Sequence, residues 1–166
     1  MGWQPLPAGE AWSALGGGVG SYGLALYASG SLQVGRHGLI SVRWAGTSDL
    51  DQVNDAGFFS GESFCEGAYD IGILLGWVII NDQKRSSISA SVGVGRATIT
   101  ERGDWIDNWL FPGYWDKEQQ TTTGFLLQSQ LFVKRFGIQA FADFNSVRSF
   151  AGMVVSFRFL RPGSWR

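Results

Sequence analysis

Histidine is the residue of this chain best suited to acid–base chemistry near neutral pH. The 166 residues contain one, His37, in the short segment Gly35-Arg36-His37-Gly38. Two flanking glycines and the lack of alternating apolar residues indicate a tight turn between two strands. We therefore interpret His37 as a turn residue rather than a general base, and we expect no catalytic residues.

Oxygen ligands suitable for a hard cation occur close together in the segment 49–55, which contains Asp49, Asp51 and Asp55. This segment lacks the central glycine and the terminal glutamate of an EF-hand loop, so a solvated loop is favoured over a calcium site. The single cysteine, Cys65, excludes an internal disulfide and any cysteine-based metal cluster. We expect no metal and no cofactor.

Arginine and aspartate residues also occur inside segments that read as strands. Arg43, Asp70, Asp143 and Arg158 each fall on the more polar of the two alternating faces. Charged groups inside a protein persist when they are paired, because an unpaired charge away from water is costly. We predict that these four residues form ion-pair networks across the interior.

The strands themselves are predicted from a period-two alternation that is clearest in residues 69–80. One face of that segment is bulky and apolar, from Tyr69 through Ile73 to Trp77, whereas the other holds Asp70, glycines and smaller apolar residues. The same split recurs along the chain. It predicts about eight strands at 12–19, 24–34, 38–46, 67–80, 86–99, 121–133, 137–145 and 150–160.

Composition agrees with an all-β chain. Glycine occurs 24 times and aromatic residues make up 14% of the chain, a mixture that favours strands over helices. Only 16% of the residues are charged, against about a quarter in ordinary soluble domains. The net charge of −1 gives no electrostatic reason to expect a nucleic-acid partner. We predict one domain over residues 1–166, an antiparallel up-and-down β-barrel spanning about 12–160.

The predicted connections alternate between short and long. The second, fourth and sixth are short, whereas the third (47–66) and fifth (100–120) are long and lie at the opposite end of the barrel. Transmembrane barrels show this asymmetry, with short periplasmic turns and longer outer loops.

The polar faces are rich in serine and glutamine and largely lack the lysine, glutamate and threonine of a solvated surface. This composition favours a crowded polar lumen with the apolar faces in lipid, and about eight strands leave no wide channel. A soluble lipocalin-like barrel with an apolar ligand inside remains the alternative.

Three segments carry a resemblance to known proteins: Ala14-Leu15-Gly16-Gly17-Gly18-Val19-Gly20, Tyr69-Asp70-Ile71-Gly72 and Ser149-Phe150-Ala151-Gly152. With them the chain resembles the small eight-stranded bacterial outer-membrane barrels, the class of outer-membrane protein X and the OmpA transmembrane domain. It is most similar to an uncharacterised outer-membrane barrel family. The resemblance covers about residues 12–160 and implies a monomeric outer-membrane protein, contacting membrane lipids and lipopolysaccharide, with no activity attached.

Some small outer-membrane barrels modify lipid A, and the resemblance implies for them a histidine paired with a serine or an acid near the outer rim. Here Gly38 and Leu39 follow His37, and the turn lies on the periplasmic side. A non-enzymatic protein is therefore expected, with a lipid-modifying enzyme as a further alternative. Residues 1–5 lack the basic start and apolar core of a signal peptide, so we expect the sequence to represent a mature form.

The fifth connection is rich in large apolar residues between Asp104 and Trp115. Asp104 is predicted to cap a short helix that ends before Pro112. Together with a second aromatic pair in the third connection, these side chains would form an exposed patch for an unknown partner. The alternative is that they fold over the barrel mouth or lie in the membrane interface. The predicted surface comprises Trp105, Trp109, Phe111, Tyr114, Trp115, Phe58 and Phe59.

Overall fold

The computed structural model describes residues 11–49, 66–81, 86–108 and 111–160. Within these ranges the alternating apolar pattern forms eight strands, and no helix there is long and apolar enough to cross a membrane. The strands are β1 (Ala11–Gly20), β2 (Gly23–Val34), β3 (Gly38–Ser48), β4 (Gly67–Asn81), β5 (Ser86–Asn108), β6 (Phe111–Val133), β7 (Phe136–Asn145) and β8 (Phe150–Leu160).

Each strand pairs antiparallel with its neighbour in sequence, and β1 pairs with β8 to close the barrel. Closure gives each strand a hydrogen-bonded neighbour on both sides within the barrel wall. A β-structure away from water needs this, because its backbone groups must be hydrogen-bonded to one another. The predicted all-β, up-and-down, eight-stranded barrel is confirmed.

The turns differ in length at the two ends of the barrel. β2 and β3 are joined by three residues and β6 and β7 by two, with positive φ angles of 64° at Gly35 and 57° at Lys134. At the other end, residues 49–66 connect β3 to β4. A positive φ suits glycine because it lacks a Cβ atom, so Gly35 permits the tight return of the chain.

The fifth connection is not the long loop predicted from the sequence. β5 continues to Asn108 and β6 begins at Phe111, so the predicted helix after Asp104 is wrong. The cross-strand register pairs Trp105 with Trp115 and Ile106 with Tyr114, with irregularities on either side. Backbone pairing between β5 and β6 continues through these residues and outweighs the local turn signals.

Part of this ribbon extends beyond the barrel. β4 pairs with β5 only as far as Thr100, and β7 pairs with β6 only as far as Gly124. Among the described residues, 101–108 therefore pair only with β6 and 111–123 pair only with β5, and we call these two segments the projecting hairpin. Eight residues of β5 at about 3.4 Å each give it a reach of about 27 Å.

The outer face of the barrel wall is apolar and the inner face is largely polar. Ile73, Leu75 and Trp77 point outward with 59%, 63% and 58% of their surface exposed, whereas Asp70 and Leu74 on the alternate face are fully buried. The predicted orientation, with apolar faces outward and polar faces inward, is confirmed. A lipocalin-like barrel requires the reverse arrangement, so that alternative is wrong.

Candidate functional site: the occluded lumen and the projecting hairpin

An ion pair lies at the centre of the lumen. The register places Arg43 on β3 opposite Gly72 on β4, so its side chain reaches diagonally to Asp70. Arg43 Nε donates to Asp70 Oδ1 at 3.0 Å and Nη2 donates to Oδ2 at 2.6 Å. Both side chains are completely buried. This two-point contact matches the planar guanidinium to the carboxylate and fixes the orientation of both.

The same arginine crosses the lumen to the far wall. Its Nη1 donates to the Leu127 carbonyl of β6 at 2.7 Å, and its Nη2 approaches the Ala142 carbonyl of β7 at 3.3 Å. The Phe141 ring centroid is 5.6 Å from Cζ. Because β7 lies four strands away from β3 in a ring of eight, Arg43 ties opposite walls together and blocks the lumen.

A neutral hydrogen-bond network also joins the walls, drawing on β2, β5, β6 and β7. The Tyr27 hydroxyl donates to Gln128 Oε1 at 2.6 Å. Gln130 Nε2 donates to the Tyr27 oxygen at 3.2 Å and to Gln139 Oε1 at 2.7 Å, and Ser89 donates to Gln130 Oε1 at 3.2 Å. These bonds satisfy several of the buried amide and hydroxyl groups with protein partners.

Arg158 belongs to a separate layer at the short-turn end. Its Nη1 donates to Ser87 Oγ at 2.7 Å, its Nη2 donates to the Lys134 carbonyl at 2.9 Å, and its Cζ lies 4.8 Å from the Phe132 ring centroid. The four charged residues predicted to form ion-pair networks thus make different kinds of contact. Arg43 and Asp70 pair, Asp143 accepts from Asn145 Nδ2 at 2.9 Å and interacts electrostatically with Arg43, and Arg158 contacts the turn.

Apolar clusters close both ends of the lumen. A small cluster of Trp12, Leu39 and Val78 lies at the short-turn end. The larger cluster lies toward the projecting hairpin. Since polar bonds fill the middle, the described part of the lumen is narrow and offers no wide water-filled path. The larger cluster comprises Ala25, Tyr27, Ala45, Ala68, Ala97, Ile99, Phe141, Phe150 and Val154.

A charged contact anchors the base of the projecting hairpin. Arg148, in the β7–β8 turn, donates to Glu101 Oε1 at 3.1 Å, and its Cζ lies 4.6 Å from the Tyr22 ring centroid. The bond to Glu101 raises the pKa of Arg148, and burial raises the pKa of the Tyr22 phenol. Sequence reasoning did not find this contact, because its partners are 47 residues apart and nothing in either segment marks the pairing.

His37, the residue best suited to acid–base chemistry, makes contacts that stabilise a turn. His37 Nδ1 lies 3.2 Å from the Val78 carbonyl, and its ring stacks on Trp77 at 4.9 Å between centroids. These contacts hold the β2–β3 turn against β4. In the described ranges no three His, Cys, Asp or Glu side chains are grouped so that they could hold a metal ion. Asp51, Asp55 and Cys65 lie outside those ranges.

The predicted aromatic surface is only partly described. The backbones of Trp105, Phe111, Tyr114 and Trp115 belong to the projecting hairpin. Trp109, Phe58 and Phe59 lie outside the described residues, so their predicted contribution stays a prediction.

Comparisons with known proteins support the fold. No protein-family model matches the chain, and no curated protein matches it. The structure is similar to the N-terminal β-barrel domain of Pseudomonas aeruginosa OprF, with 12% identity and a TM-score of 0.55 over 94% of this chain and 100% of that one. It is also similar to Ail, the attachment invasion locus protein of Yersinia pestis solved with the heparin analogue sucrose octasulfate, with 10% identity and a TM-score of 0.51 over 92% and 100% of the two chains. The chain therefore has the fold of eight-stranded outer-membrane barrels.

Proposed function

We propose that this chain is a non-enzymatic integral β-barrel of the bacterial outer membrane that displays the projecting hairpin and the 49–66 connection outside the cell. The observation that carries the proposal is the outward apolar belt around a polar lumen. Exposure of apolar surface to water costs about 25 cal/mol per Å². A continuous belt of this kind exceeds the apolar patches that soluble monomers tolerate, whereas acyl chains would cover it at no such cost.

The ends of the belt support a transmembrane position. Trp44 and Tyr69 lie outward toward the hairpin end, and Trp77 and Phe159 lie outward toward the other end. Aromatic side chains concentrate where a bilayer meets water, because their rings are apolar but polarisable. By the usual asymmetry of such barrels, the short turns and both termini would face the periplasm, and the projecting hairpin would face outward.

The projecting hairpin supports a binding role. Since the described residues 101–108 pair only with β6 and 111–123 pair only with β5, each strand keeps one edge of unpaired backbone groups above the barrel. Such edges pair readily with an extended segment of another protein. Glu101, at the base, is ion-paired with Arg148 of the β7–β8 turn, which links the hairpin to the barrel rim.

The absence of catalysis is also part of the proposal. His37 is engaged by Val78 and Trp77 at the short-turn end. That end would lie far from an outer-leaflet substrate, and among the described residues no hydrogen bond joins the ring to a serine or an acid.

Two experiments test the proposal. Folded membrane barrels commonly migrate differently from the boiled protein in SDS gels, so we expect two bands that depend on boiling. A protein that stays monomeric in buffer without detergent would contradict the membrane assignment. Lipid A acyl-chain analysis in a strain lacking the gene tests the second part. An altered pattern, restored by the intact gene, would show that the protein is an enzyme.

A further inference from the structure

The apolar belt ends sharply beside the projecting hairpin. On β5 and β6 the last outward apolar residues are Val94 and Phe125, which are register partners. The next outward positions are Arg96 and Thr123, which are also register partners. A cation and a hydroxyl thus lie side by side, one step beyond the apolar surface that would contact lipid tails.

A surface groove lies directly below this pair. Its volume is about 510 Å³, and Val94, Phe125 and Phe144 supply its apolar lining. Asn145 and Ser146 form part of the polar rim. Both are held by the protein itself, since Asn145 bonds the β7–β8 turn and the Ser146 hydroxyl lies 3.1 Å from that of Thr122. Both rim residues are therefore hydrogen-bonded to protein groups in this structure.

Arg96 is placed differently from the other strand arginines. Arg43 and Arg158 point into the lumen and bind protein groups, whereas Arg96 is exposed on the outer face. In the ranges that the structure describes, no protein group is hydrogen-bonded or ion-paired with the Arg96 guanidinium, or hydrogen-bonded to the Thr123 hydroxyl. The acids Asp143 and Glu101 bind Asn145 and Arg148 instead.

A guanidinium at the edge of the hydrocarbon is stabilised by an anion at the same depth. Its fork of donors fits two oxygens of a phosphate, and a neighbouring hydroxyl adds a third donor. Apolar side chains immediately below would contact the chain attached to that phosphate. The groove thus joins a phosphate-binding edge to an acyl-binding floor.

We infer that Arg96 and Thr123, with the groove formed by Val94, Phe125 and Phe144, bind one phosphorylated glycolipid of the outer leaflet. Its phosphate would bind Arg96 and Thr123, and an acyl chain would lie along Phe125 and Phe144. This inference rests on the proposed membrane location and orientation. It names the lipid partner and the part of the barrel that selects it.

The test is native mass spectrometry of the folded barrel in detergent, titrated with diphosphorylated lipid A. We expect Arg96→Ala to weaken binding about fivefold, the effect of removing one cation near an anionic lipid surface. Arg96→Lys should retain part of the affinity, because it keeps the charge and loses the fork. Arg135→Ala is the matched control, since it removes an exposed arginine from the short-turn end.

Two ligand controls separate the sources of phosphate. Dephosphorylated lipid A should bind weakly to the parent protein. Its affinity should match that of diphosphorylated lipid A for Arg96→Ala. Inorganic phosphate alone should not compete with lipid A. Equal affinity of the parent and Arg96→Ala, an equal loss in Arg135→Ala, or full competition by inorganic phosphate would each overturn the inference. Gel migration with and without boiling, measured on the same samples, tests the membrane barrel separately from this result.

Discussion

Arg43 on β3 binds both carboxylate oxygens of Asp70 on β4, and both side chains are fully buried in the lumen. The same guanidinium contacts backbone carbonyls of β6 and β7. One side chain therefore neutralises a buried acid, links four strands and obstructs the centre of the barrel.

Replacement of Arg43 by methionine should strongly destabilise the barrel. The change leaves the Asp70 carboxylate buried without its counter-ion, which typically costs about 3–5 kcal/mol in free energy of unfolding. Urea unfolding in detergent or lipid vesicles measures it. The double variant Arg43→Met with Asp70→Leu should recover much of the loss, because it removes the uncompensated charge. A single variant as stable as the parent would show that water or another cation compensates Asp70.

Arg158→Ala should lower the thermal stability of the barrel in detergent. The substitution removes bonds to Ser87 and to the Lys134 carbonyl, and hydrogen bonds to charged groups are each worth about 1.5–3 kcal/mol. Arg135→Ala, in the adjacent turn, is the control and should change the unfolding temperature little. Unchanged stability of Arg158→Ala would mean that these contacts contribute nothing to the folded state.

Gly72→Ala should destabilise the barrel because its Cβ would meet the Leu126 side chain and the Val94 carbonyl inside the crowded lumen. Overpacking of this kind costs about 1–3 kcal/mol. Gly30→Ala is the matched control on another strand, since a Cβ there meets nothing within 4 Å. If both variants unfold at the same urea concentration, the lumen is not filled as described.

Leu75→Arg should impair folding into lipid vesicles. A charge on the lipid face near the bilayer midplane costs about 2–4 kcal/mol, and a charge near the interface costs about 0–1 kcal/mol. Thr98→Arg, beyond the apolar belt on the outer face, is therefore expected to fold as the parent does. In a water-soluble barrel the Leu75 variant would be tolerated and would gain solubility.

The period-two pattern of the sequence was sufficient to predict the barrel wall and the orientation of its faces. In residues 69–80 every second side chain is bulky and apolar, and a one-residue error in register would have reversed both faces. For the lumen, the sequence predicted which types of residue line it but not which of them pair. Arg43 and Asp70 both lie on polar faces, but their pairing depends on the stagger of β3 against β4, which no local pattern specifies.

The projecting hairpin was missed for a physical reason. Gly103, Pro112 and Gly113 are turn signals, and Asp104 is a good helix cap, so local preference opposes a strand. The strands form because most residues of one pair with a residue of the other, as Trp105 does with Trp115, despite two irregularities in the register. That stabilisation is non-local and is not visible in a short window of sequence.

The most direct test of the central claim is the accessibility of a spin label on each face of β4, in a Cys65→Ser background reconstituted into lipid vesicles. A label at Ile73→Cys should collide with oxygen dissolved in the bilayer far more than with a water-soluble nickel chelate. A label at Leu74→Cys, pointing into the lumen, should be shielded from both. Preferential collision of the Ile73 label with the nickel chelate would contradict the proposal that lipid covers the outer face.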